Sequence, residues 1–157
     1  MMGNEGVYLN VSELSTPCLY ISAKDFKIGM ITNCNQSVCR IFGHFKGELI
    51  GKNLNILMPD LFTKYHQRVL ELKIAYNFSD KSIINLQKSV IAKHKSGSIF
   101  PINMKIVSTP SLWNDVNFIA IFSHDHLSLK SDIGYLLLDT EFHIVACSSS
   151  KMLSLSS

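Results

Sequence analysis

Residues 31–62 read ITNCNQSVCRIFGHFKGELIGKNLNILMPDLF, and the fold is decided by how this stretch punctuates itself. Asn35 stands where a side-chain oxygen caps a short helix carrying Val38, Ile41 and Phe42, and Gly43 ends that helix because a left-handed C-terminal residue favours glycine. Two one-turn pieces follow, at residues 48–50 and 54–57, broken by Gly51 and Pro59. Asp60 is then placed to cap a longer helix. Over residues 62–76, Phe62, Tyr65, Val69, Leu70 and Tyr76 recur at helical spacing on one face, with His66 on the inward side, while Lys64, Gln67, Arg68 and Glu71 turn outward.

Strand patterns flank this helical middle. Upstream, the apolar run 18–21, the polar turn 22–25 and the apolar run 26–32 predict a β-hairpin. Downstream, residues 82–94 place Ile84, Leu86, Val90 and Ala92 on one face, and Lys88 shares that face with them. Gly97 marks a hairpin turn at 95–98, after which Phe100, Ile102, Met104 and Ile106 alternate with Asn103 and Lys105. Pro101 has no N–H to give a ladder and belongs at an edge or strand start. A last apolar run, VNFIAIFS at 116–123, completes the set, so the order is two strands, small helices, one longer helix and three strands.

Composition narrows the function classes. The chain has 157 residues, 46% hydrophobic and 17% charged, enough for one domain with short extensions and too apolar for a disordered chain. A formal net charge of +3 and a widest basic cluster of Lys93-His94-Lys95 argue against a nucleic-acid surface, which needs a longer cationic stripe. Cys18, Cys34, Cys39 and Cys147 form no CxxC pair and are expected to be reduced packing residues. Neither a secretory leader nor an apolar run of membrane-spanning length is evident, so the segment reads as soluble and intracellular, although a piece of a membrane-anchored parent would read the same. His124-Asp125-His126 supplies two imidazoles at most and reads as solvated strand-end residues. No nucleophile–base spacing, phosphate loop or zinc-protease motif occurs, and the expectation is a non-enzymatic module.

Two quoted stretches resemble a PAS domain. The first is 31–62, with its asparagine, small helix, Phe42-Gly43, Glu48-Leu49-Ile50-Gly51-Lys52-Asn53 and Leu57-Met58-Pro59; the second is AKHKSGSIFPINMKI at 92–106, with its Gly97 turn and Phe100-Pro101. The resemblance implies an α+β fold, a five-stranded antiparallel sheet with short helices and one longer helix across one face. It also implies a sensory or interaction module that binds a protein partner, or itself, through the sheet face and is part of a larger signalling protein. Phe62, His66, Val69, Leu86, Lys88, Met104 and Phe122 are expected to line its pocket.

The run GKNLNILMPDLFTKYH at 51–66 is further similar to haem-binding PAS domains of oxygen-sensing kinases, and the likeness places His66 where their proximal histidine lies. A haem-based gas sensor is therefore the alternative function, with His66 as iron ligand and Lys88 near the position of the arginine that meets bound oxygen. Against these stand plainer readings: His66 hydrogen-bonded within the core, and Lys88 running its ammonium out to the strand edge. Photochemical flavin PAS domains carry a cysteine where this chain has NLNILMPD, so that chemistry is not expected.

Residues 1–16 read as a cap, 17–126 as the PAS domain and 127–157 as an extension. Within the extension, YLLLD at 135–139 and HIVACS at 143–148 flank a polar turn and echo the opening hairpin. It reads either as the start of a second PAS-like unit, as in similar domains of large protist membrane proteins, or as a hairpin packed on the sheet.

Overall fold

In the computed structural model, which describes residues 15–75, 87–110, 116–124 and 133–148, the apolar runs form strands β1 (Cys18–Ser22), β2 (Ile31–Cys34), β3 (Gln87–Lys93), β4 (Ile99–Pro110) and β5 (Val116–His124). They pair antiparallel in the order β2-β1-β5-β4-β3. This is the five-stranded sheet that the resemblance implies. Helices α1 (Gln36–Phe42), α2 (Lys46–Leu49) and α3 (Asp60–Ala75) lie between β2 and β3 in the chain. Strands β6 (Leu136–Leu138) and β7 (Ile144–Cys147) form a second, two-stranded sheet.

Side-chain alternation gives the large sheet two different faces. Leu19, Ile21, Ala92, Ile102, Ala120 and Phe122 turn toward the helices and meet Val38, Cys39, Phe42, Leu49 and Leu57 in one buried cluster. Phe42 reaches both Phe100 and Phe122, with ring centroids 5.6 and 5.3 Å apart. On the outer face, buried Cys18 and Ile119 pack with half-buried Tyr20 and Ile121.

The caps fall where the residues place them. Asn35 Oδ1 accepts from Val38 N at 3.1 Å and Cys18 N at 3.3 Å, and its Nδ2 donates to the Thr16 carbonyl at 2.7 Å, joining the start of α1 to the start of β1. Gly43 follows at φ 73°. In α2, Glu48 accepts from Phe45 N at 3.0 Å and from Lys95 Nζ at 2.6 Å, which ties the β3–β4 turn to the helix layer.

Three local expectations need correction. The second strand begins at Ile31, not Phe26, because residues 25–27 form a 3-10 turn and Gly29, at φ 77°, closes the loop by donating to the Ser22 carbonyl at 3.0 Å. Phe26 is fully exposed as a result. Asp60 is the first residue of α3 and not its cap, with buried Pro59 ahead of it. Gln67, placed outward, is half-buried and accepts from Asn53 Nδ2 at 3.2 Å, while Tyr65 keeps the inward face that spacing gives it but is 75% exposed there. Pro101 lies inside β4, where that strand pairs with β3 before its pairing with β5 begins at Ile102. Among the described residues no helix is long and apolar enough to cross a membrane.

Candidate functional site

Ala92 and Ala120 present the smallest side chains on the inner face of the sheet, and the room they leave is roofed by α3 rather than filled. The result is a cavity of about 390 Å³. From α3 come Phe62, Tyr65, His66 and Val69; from the turn before it, Leu54, Leu57 and Met58; from the sheet, Leu19, Ile21, Val90, Ala92, Ile102, Met104 and Phe122 among others. That volume lies at the low end of the range of small-molecule sites, about 300–1,000 Å³.

His66 is the one ionisable group at neutral pH in this lining. It is half-buried, and its Nδ1 is buried with no hydrogen-bond partner among the described residues. Burial lowers its pKa from the ordinary 6.5, so the imidazole is neutral at pH 7. A buried polar atom without a partner forfeits about 1–3 kcal/mol, so a neutral imidazole facing apolar walls marks where a bound molecule gains most from one polar group.

Of the expected pocket residues, Phe62, His66, Val69, Met104 and Phe122 are brought together around the cavity. Lys88 is not. It lies opposite Met104 in the β3–β4 register and on the face of Val90 and Ala92, yet it is exposed and outside the lining, because β3 is an edge strand whose first residues meet solvent. Leu86 falls outside the described residues. Leu54, Leu57 and Met58 were missed because short turns carry no periodicity to assign a face.

The cysteines give no second site. Cys34 and Cys39 are buried with sulfurs 4.0 Å apart, and burial first, then Cys39, pushes the Cys34 thiol up to about 11, which keeps it protonated and inert. Among the described residues no cluster of three or more His, Cys, Asp or Glu side chains is positioned for a metal ion.

Comparison with known proteins bears on the same region. A serine/threonine-protein kinase of Dictyostelium discoideum is 33% identical over 78 residues, 50% of this chain and 5% of that protein. The sensor protein FixL of Bradyrhizobium diazoefficiens is 32% identical over 78 residues, 50% of this chain and 15% of that protein. This chain thus spans a small part of the length of either relative. The crystal structure of the PAS domain of a Desulfitobacterium hafniense protein shares the fold, with a TM-score of 0.57 at 16% identity over 74% of this chain and 98% of that one. With the family profile "PAS domain" matching residues 17–126, and the helices laid over one face of a β2-β1-β5-β4-β3 sheet, the chain belongs to the PAS family of sensory signalling domains.

Proposed function

We propose that this domain is a non-enzymatic sensor whose cavity takes a small, mostly apolar molecule with one hydrogen-bonding group, received by His66. Occupancy is passed to a protein partner, or to a second copy of the chain, through the outer face of the sheet, where Tyr20 and Ile121 remain half-buried beside Ile119. The observation that carries the reading is the imidazole of His66, whose buried Nδ1 has no hydrogen-bond partner among the described residues, in the lining of a mostly apolar cavity. Isothermal titration with indole, a planar apolar probe with one N–H, tests it. Saturable binding is expected, lost in Ala120→Leu, which fills the cavity, and weakened about tenfold in His66→Leu, the equivalent of about 1.4 kcal/mol. Absence of heat with the unaltered protein contradicts it.

Haem is the second reading, favoured by the same neutral imidazole, the ligand type that holds haem iron. The residues fit in part: His66 would hold the iron and the apolar walls would exclude water, but among the described residues no Lys or Arg lines the cavity and Lys88 stands outside it. When bound, haem would supply an iron centre for a gas ligand. Absorption spectra of protein produced with haem precursor decide between the readings. The small-ligand reading expects no Soret band, whereas a band that vanishes in His66→Ala replaces it with haem.

A further inference from the structure

Strands β6 and β7 repeat the geometry of β1 and β2 in more than alternation. In the first hairpin Leu19 pairs with Cys34 and Tyr20 with Asn33, and then the register shifts so that Ile21 meets Ile31. In the second, Leu136 pairs with Cys147 and Leu137 with Ala146, and the same shift brings Leu138 to Ile144. The loops differ in length, but each is closed by a positive-φ residue that stands at the same register position. Gly29 at φ 77° donates to Ser22 O at 3.0 Å, and Phe142 at φ 65° donates to Asp139 O at 3.1 Å.

The strand ends are tied by the same side-chain device. Cys18 N donates to Asn35 Oδ1 at 3.3 Å while Asn35 N donates to Cys18 O at 3.2 Å. At the second site Tyr135 N donates to Ser148 Oγ at 2.9 Å while Ser148 N donates to Tyr135 O at 2.9 Å. Asparagine and serine are interchangeable in this role, since each offers an oxygen at helix-cap distance from the backbone. Paired apolar runs and a positive-φ closure are common to many hairpins; a register shift at the same step together with the same side-chain tie at the strand ends is not generic.

Burial separates the two copies. Leu19, Ile21 and Ile31 are 1%, 7% and 0% exposed, and their counterparts Leu136, Leu138 and Ile144 are 48%, 41% and 45% exposed. Likewise β1 is flanked by β2 and β5, whereas among the described residues β6 has only β7 beside it.

We infer that residues 133–148 are the opening hairpin of a second PAS unit, and that Leu136, Leu138 and Ile144 are core positions of that unit. The occupant of their apolar face is the remainder of that unit, beginning with a strand equivalent to β5 along the open edge of β6.

Two variants of the full chain test this. The first grafts the second hairpin's residues onto the first by Tyr20→Leu, Ile21→Leu, Thr32→Val, Asn33→Ala and Asn35→Ser, with buried Cys18 and the native loop kept. Cooperative unfolding within about 10 °C of the unaltered protein is expected, and loss of cooperativity overturns the equivalence. The second ends the chain after Asp132. A midpoint within about 2 °C of the unaltered chain is expected, and a larger fall assigns the hairpin to the first unit's core instead. A dimer in sedimentation that the shortened chain no longer forms makes a second copy the occupant and also overturns the inference.

Discussion

Burial of the His66 imidazole contributes to the pH behaviour expected of this domain. Burial disfavours the imidazolium of His66, so its folded pKa lies below the unfolded value near 6.5. Below that value the unfolded chain binds the extra proton more readily than the native one, and stability is lost as pH falls toward the folded pKa. The melting temperature is accordingly expected to drop less between about pH 7.5 and about pH 5.5 in His66→Leu than in the unaltered protein, since the substitution removes one titrating group. An equal drop in both would place the acid sensitivity elsewhere. Asn35 is the second residue whose loss should be felt: Asn35→Ala removes the cap on Val38 and the ties to Cys18 and Thr16, at a cost of about 1–3 kcal/mol in urea unfolding. His66, Phe62 and Val69 were legible because helical spacing assigns a face. Lys88 was misplaced because spacing assigns a face without a depth and it sits on an edge strand; Tyr65 is on the face assigned to it, but at 75% exposure.

Between elements, backbone conformation decides what a pattern alone leaves open. The apolar run at 26–32 has strand composition, yet its first half is a turn because Gly29 takes a positive φ and closes a loop onto Ser22. Gly43 is the sharper case, since a side chain there would meet the His94 ring as well as requiring φ 73° of a non-glycine residue. Gly43→Ala is expected to cost more than about 1 kcal/mol, and adding His94→Ala should recover only part of it, because the strained dihedral stays. Full recovery in the double variant would assign the whole effect to the ring. The hairpin at 135–148 was visible in its two apolar runs and polar turn, but its register shift and the tie from Ser148 to Tyr135 emerge only from the paired strands.

Taken whole, the molecule is a sheet with a helix layer over one face and a cavity between them. The order of elements followed from glycine, proline and cap positions in residues 31–62 and 92–106, where local chemistry and the overall fold agree. The cavity did not, because it depends on what small side chains fail to fill, and Ala92 and Ala120, which line it from β3 and β5, sit far apart in sequence and on strands that are not neighbours. Filling it is expected to separate binding from folding: Ala120→Leu should abolish probe binding without lowering the melting temperature, and a large fall would mean that the space is not available to a ligand. The most direct measurement is the methionine-methyl NMR spectrum during an indole titration to about 1 mM, the concentration at which a free energy near −4 kcal/mol becomes visible. Saturable shifts of the Met58 and Met104 methyls, which line the cavity, with Met30, which does not, left in place, are the predicted result; unmoved Met58 and Met104 signals would contradict the account.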